Sequence, residues 1–259
     1  MDLQIDGNAA LVTASSSGLG KASAKALARE GVDVLVNGRD EERLAAAVAE
    51  IESVASADVV GQTADITQKD DIEGLIGRAV DEFGRLDHLV TSAGGPTPFR
   101  PLEADDEEWY YAYDLLVMSV VRAVRAAAPH LRADGGGTIV NITSQTVKEA
   151  SASNVLSSSV RLGVIGFEKT LSKDLAPEVR TNAVLPGAHE TPRIEDIIEH
   201  GDAESYEAGL EEWTEDIPVD RVGDPMELGD LVAYLSSPRS GFVNGQAVAI
   251  DGGSGASTL

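Results

Sequence analysis

The stretch that decides the fold reads Ala9-Ala10-Leu11-Val12-Thr13, then Ala14-Ser15-Ser16-Ser17-Gly18-Leu19-Gly20, and runs on into an Ala-rich segment as far as Glu30. A short run of apolar and β-branched residues fits a buried strand, and the small residues after it fit a tight turn into a helix. Glycines at 18 and 20 let the backbone approach a phosphate closely, whose charge then faces the free N–H groups that open the helix. Any tight strand-to-helix turn needs glycine, but a strand, a glycine loop and a helix in this order point to a dinucleotide site.

Outward from this unit the same alternation continues. Strand-like runs fall at 9–13, 32–36, 59–64, 87–91, 137–142, 181–185 and 246–250, and helical patterns at 18–30, 40–54, 68–83, 105–132, 154–175, 192–214 and 225–236. Asp40 is placed to cap the second helix, with Gly31 and Gly84 as stop signals for the first and third. Alternating strands and helices imply an α/β fold, doubly wound in the Rossmann manner: a seven-stranded parallel sheet flanked by helices. No repeat or long linker divides the chain, so residues 1–259 are expected to form one domain, with the acidic segment 188–224 inserted beside the ligand crevice.

Composition narrows the function. The 259 residues carry 20 Lys+Arg against 44 Asp+Glu, a net charge of −24, and no cysteine. Zero cysteine removes disulfides, thiol catalysis and cysteine-ligated metals. With no Asp/His cluster at ligand spacing either, no metal is expected. Such acidity repels both nucleic acid and anionic bilayers, which bind through Lys and Arg. The start Met1-Asp2-Leu3-Gln4-Ile5-Asp6-Gly7 leads into no apolar leader, and no apolar run approaches the ~18 residues of a membrane span, so a cytoplasmic protein is expected. Acid clusters such as Asp40-Glu41-Glu42 and Asp105-Asp106-Glu107-Glu108 suit a halophilic surface, on which molar salt screens repulsion to within about 3 Å. Loss of cooperative folding is expected below roughly 0.1 M salt, where screening lengthens to ~10 Å. A salt-free thermal melt checks this, and full stability there would mark an ordinary acidic protein.

Further motifs follow in order: Asp65-Ile66, Ser92-Ala93-Gly94, Asn141-Ile142-Thr143-Ser144, Pro186-Gly187 with Thr191, and Asp251-Gly252-Gly253. With the glycine loop, they make the chain resemble the short-chain dehydrogenase/reductase family over nearly its whole length. Ala14 replaces the first glycine of that family's loop. The resemblance implies a nicotinamide dinucleotide held by Thr13, Ser15, Ser16, Ser17, Gly18, Leu19 and Gly20. Asp65-Ile66 would then meet the adenine, Ala93-Gly94 the ribose, and Pro186, Gly187 and Thr191 the nicotinamide carboxamide.

NAD-binding relatives place an acid about 20 residues past the glycine loop. Here that place falls on Gly38, followed by Arg39. A guanidinium suits a 2′-phosphate, so NADP(H) is favoured over NAD(H). The alternative is that Arg39 pairs with Asp40, Glu42 or Glu82 and the site accepts NAD(H).

The catalytic places break the pattern. Aligned on Arg161-Leu162-Gly163-Val164-Ile165-Gly166-Phe167, Ser144 keeps the family's serine, but its tyrosine becomes Ser157, its lysine Arg161 and its asparagine Leu116. An aliphatic hydroxyl is a weaker acid than a phenol, and a guanidinium does not relay protons. A positioned proton donor is worth ~10²–10⁴ in rate, so another group must supply it. Candidates are Lys148, if burial lowers its pKa, and His189 in the 186–191 loop. Arg161 would hold the nicotinamide ribose as the family lysine does. His88, His130 and His200 lie in no motif. Tyr110, Tyr111 and Tyr113 fit the helix that forms the family's usual subunit interface, which implies a homotetramer or homodimer.

These residues suggest an NADP(H)-dependent oxidoreductase acting on a carbonyl or secondary alcohol of a small-molecule substrate, similar to 3-oxoacyl-[acyl-carrier-protein] reductases. Two alternatives stand beside it: a non-catalytic or regulatory dinucleotide-binding protein, and a lyase or isomerase on the same scaffold.

Overall fold

A computed structural model describes residues 1–133, 135–199 and 205–258. Seven strands form one sheet: β1 (Ala9–Val12), β2 (Asp33–Gly38), β3 (Val59–Thr63), β4 (His88–Thr91), β5 (Gly137–Ile142), β6 (Val179–Pro186) and β7 (Ala247–Ile250). Their order is β3-β2-β1-β4-β5-β6-β7, and every pairing is parallel. The doubly wound seven-stranded sheet is therefore as expected.

Successive strand residues face opposite sides, and helices cover both. On one side Leu11, Leu35, Leu89 and Ile139 pack beneath α3 (Lys69–Phe83), α5 (Ser119–Leu131) and α6 (Val155–Asp174). On the other, Val12, Val34, Val140 and Val184 pack beneath α1 (Gly18–Arg29), α2 (Glu41–Glu52) and α9 (Pro225–Ser236). Local signals act as the sequence predicts. The Asp40 carboxylate accepts from the Arg43 N–H at 2.8 Å and caps α2, while Gly84 ends α3 at φ 73° and Gly31 turns the chain at φ 81°.

Two helical expectations need correction. The 105–132 pattern is not one regular helix: α4 (Asp106–Tyr113) passes through a π-helical turn, Asp114–Met118, before α5. The wider turn inserts a residue into the 3.6 period, so the face presented before it differs from the face after it. The 192–214 pattern is likewise two helices, α7 (Pro192–Glu199) and α8 (Tyr206–Thr214). His200 and Gly201 lie outside the described residues. Ser205 starts a new helix by accepting the Ala208 N–H at 3.1 Å.

His88 is a core residue. Its ring bridges Asn8 (2.9 Å) and Thr138 (2.8 Å), and burial lowers its pKa to about 4, so it is neutral at physiological pH. Among the described residues, no helix is long and apolar enough to cross a membrane.

Candidate active site

The strand order reverses between β1 and β4, and the crevice at the carboxyl ends of these strands is the usual ligand site of such sheets. The glycine loop lines it. Thr13 Oγ1 donates to the Ser92 carbonyl and accepts the Ser92 N–H, both at 2.8 Å, which ties β1 to β4. Ala14 adopts φ 47°, a conformation that normally favours glycine, and its N–H is held by Asn37 Oδ1 at 2.7 Å. Ser15 is fully buried: its hydroxyl donates to the Val12 carbonyl and accepts the Asn37 N–H, and its own N–H donates to the Asn37 carbonyl. Thr13, Ala14 and Ser15 are therefore engaged within the protein, which corrects the expectation that Thr13 and Ser15 meet a ligand directly. Asn37, unnoticed in the sequence, is the residue that holds the loop.

Beyond Ser15 the loop is free. Among the described residues no internal hydrogen bond engages the N–H groups of Ser16, Ser17, Gly18, Leu19 or Gly20. Ser17 starts α1 in an extended conformation without a side-chain cap. Orphan helix-opening amides with the dipole behind them suit a diphosphate. Gly20 is required here, because a Cβ would stand 2.5 Å from the Ala14 carbonyl oxygen.

At the end of β2 a Cβ on Gly38 would lie 2.6 Å from Ser16 Oγ, so Ser16 would have to shift before any side chain could stand there. Arg39 beside it is exposed and makes no ion pair among the described residues. Two of its expected partners are engaged elsewhere, Glu82 by Arg78 at 2.7 Å and Asp40 as the α2 cap. One Asp65 oxygen accepts the N–H and hydroxyl of Thr67 at 2.9 and 2.8 Å. Ile66 is buried, whereas Ala93 is half-buried and Gly94 exposed.

The 186–191 loop spans from this cradle to Ser144. Gly187 donates its N–H to the Ile250 carbonyl at 2.9 Å and lies against the Gln145 side chain, while Thr191 lies over Gly18. His189 corrects the expectation that it faces the reaction. Its ring is buried against Gly223 with Nδ1 at 3.1 Å from the Gly187 carbonyl, the backbone pairs with Gly223, and burial lowers its pKa. Lys148 is exposed, so any burial of its side chain would have to come from a bound ligand.

Ser144 opens the 3₁₀ turn Gln145–Val147 and accepts from both the N–H (3.2 Å) and the hydroxyl (3.0 Å) of Thr146. Thr146 Oγ1 also lies 3.2 Å from Ser157 Oγ on α6. One helical turn later Arg161 is 6% exposed, its side chain makes no hydrogen bond or ion pair among the described residues, and its Nε is buried without a partner. Burial lowers its pKa to about 10, so it remains a cation. A buried charge without a counter-charge costs several kcal/mol, a cost that a bound anion or polyol relieves. Leu116, in the asparagine place, is buried in the π turn.

Sheet, loop and serine together define a dinucleotide-dependent oxidoreductase fold. A family model described as enoyl-(acyl carrier protein) reductase matches residues 13–255, and the chain belongs to the short-chain dehydrogenase/reductase family. It is 32% identical over 247 residues to the short-chain reductase protein NovJ of Streptomyces niveus, covering 94% of this chain and 92% of that protein. Identity with a 3-oxoacyl-[acyl-carrier-protein] reductase of Thermotoga maritima is 30% over 252 residues, with 97% and 99% covered. Among solved structures, L-sorbose reductase from Gluconobacter frateurii, complexed with NADPH and L-sorbose, matches with a TM-score of 0.93 at 28% identity over 100% of both chains. An actinorhodin polyketide ketoreductase with NADPH matches at 0.90 and 33% identity, with 96% and 98% covered.

Proposed function

We propose that this chain is an NADP(H)-dependent carbonyl reductase or secondary-alcohol dehydrogenase, similar to 3-oxoacyl reductases, working with an altered catalytic set. The observation that carries it is the row of unengaged amides from Ser16 to Gly20, linked by the 186–191 loop to the Ser144 segment. Those amides would hold the diphosphate, Ser16 and Arg39 the 2′-phosphate, Asp65 the adenine amine, and Arg161 the nicotinamide ribose. When bound, the dinucleotide supplies or accepts hydride. Ser144 uses its hydroxyl to polarise the substrate oxygen, since both contacts from Thr146 are ones it accepts.

The test follows NADPH absorbance at molar KCl over β-keto esters, sugars and quinones. Turnover on any of them supports the reading, and tight NADPH binding without turnover favours the second reading, a dinucleotide-binding protein without catalysis. That second reading draws on Lys148 being exposed and His189 turned inward. Arg39→Ala is expected to weaken NADPH binding by about ten- to a hundredfold, the worth of a charge-assisted hydrogen bond, and to leave NADH unchanged. Calorimetry checks it, and equal losses for both coenzymes would remove Arg39 from the 2′-phosphate site.

The site's relation to a second copy is part of the proposal. Tyr110 (70% exposed), Tyr111 and Tyr113 stand out from α4, which suits self-association as a dimer or tetramer.

A further inference from the structure

The proposed reduction needs a proton as well as a hydride; of the two groups singled out for it in the sequence, His189 is buried against Gly223, and Lys148 is exposed with no side-chain hydrogen bond among the described residues. The structure instead holds three hydroxyls in a row. Thr146 Oγ1 donates to Ser144 Oγ at 3.0 Å and lies 3.2 Å from Ser157 Oγ. A hydroxyl has one proton to give. With the Thr146 proton committed to Ser144, the proton between Thr146 and Ser157 must come from Ser157. Ser144 accepts twice from Thr146, so its own proton points away from that residue. The Ser157 and Thr146 protons therefore both point along the row toward Ser144, and the Ser144 proton is left free to point on beyond it.

We infer that Thr146 is a positioning residue that links Ser157 to Ser144 as a hydroxyl relay and so replaces the missing phenol. A serine hydroxyl at 157 ends well short of where a tyrosine would reach, and Thr146 Oγ1 continues the row 3.2 Å from it. The inference rests on the carbonyl-reductase reading. The carbonyl carbon gains hydride and its two electrons from the reduced dinucleotide. As the C=O double bond becomes a single bond, the Ser144 O–H proton passes to the substrate oxygen. In the same concerted movement the Thr146 proton moves to Ser144 and the Ser157 proton to Thr146. A solvent water then reprotonates Ser157, leaving hydroxide to the bulk, so no alkoxide persists in the protein. Hydroxyls donating head to tail strengthen one another, which favours this single direction. Arg161, a buried cation one helical turn from Ser157 on α6, would favour negative charge developing nearby during the transfer.

Two readouts test this. In kinetics at molar KCl, Thr146→Val should lower kcat by about a hundredfold with the NADPH dissociation constant unchanged, while Thr146→Ser stays within a few-fold of wild type. Wild-type kcat in H₂O/D₂O mixtures should give a bowed proton inventory, and the residual rate of Thr146→Val a straight one. A Thr146→Val protein that binds NADPH normally and turns over at the wild-type rate would overturn the relay and leave the reductase reading standing. No wild-type turnover on any carbonyl would overturn both, a distinct result. Independently of activity, neutron diffraction of the deuterated protein should place the Ser144 deuterium away from Thr146 and the Ser157 deuterium toward it. The reverse orientation would sink the relay.

Discussion

Ser144→Ala is expected to cut carbonyl turnover by ~10²–10³, the worth of one preorganised donor at a developing oxyanion, while NADPH binding stays at its wild-type value. The split follows from position. Ser144 lies at the crevice end of the hydroxyl row and apart from the amides of Ser16–Gly20. Its loss also leaves Thr146 without its acceptor, so the turn Gln145–Val147 loses a cap while the sheet beneath is untouched. Steady-state kinetics beside coenzyme titration check it. A variant that keeps full turnover would remove Ser144 from the chemistry, and one that loses NADPH binding would show that it holds the cradle instead.

The second large effect concerns stability. Glu168 on α6 is 1% exposed, and the one hydrogen bond of its carboxyl among the described residues is accepted from Thr181 Oγ1 at 3.4 Å. Burial pushes its pKa from an ordinary 4.5 up to about 7, against the smaller opposing effects of Thr181 and Lys169. A group raised on folding contributes stability that is complete below the unfolded value and lost as pH rises through the folded one. The chain should therefore lose on the order of 3 kcal/mol between pH 4.5 and pH 8 at this one residue. Glu168→Gln keeps the shape without the charge, and it should raise the unfolding free energy at pH 8 by about 2–3 kcal/mol with little change at pH 4.5. Buried neutral His88 acts with the opposite sign, its contribution being complete above 6.5 and lost as pH falls through about 4. The two slopes partly cancel in the native chain, and the variant separates them. Denaturant titrations at both pH values in molar KCl decide it, and an unchanged pH dependence in Glu168→Gln would refute the assignment.

Much of the architecture was legible because it rests on local physics. Strand runs bounded by Gly31, Gly84 and Asp40 translate directly into elements, since those residues set backbone angles or cap helices without tertiary help. The π turn at Asp114–Met118 was not legible, because the 3.6 and wider periods differ by one residue within a continuous apolar pattern. In the site, Gly20 and Arg39 carried readable signals, a close backbone approach and a cation at the end of β2. Asn37 and Thr146 did not. Each works through a contact fixed by the fold, Asn37 across to the neighbouring loop and Thr146 onto α6. The only available hint for Thr146 was a hydroxyl two residues past Ser144. Lys148 and His189 were attractive for their chemistry, yet chemistry alone does not say whether a side chain faces water, the crevice or a glycine in the opposite strand of a loop.

That last contact reaches further than catalysis. His189 and Gly223 fasten the chain where it leaves β6 and where it returns to α9, through the Gly223 N–H to Ala188 and the Glu190 N–H to Gly223, at 3.0 and 2.9 Å. Everything between is cinched at its neck, so changing its length there costs only slowly growing closure entropy. On the proposed reading, exchanging the part beyond Thr191 would alter what the reductase accepts while Thr191 and the Ser16–Gly20 amides stay as they are. A designer seeking a new substrate would, on that reading, graft between 192 and 222 and leave the clasp and Thr191 alone.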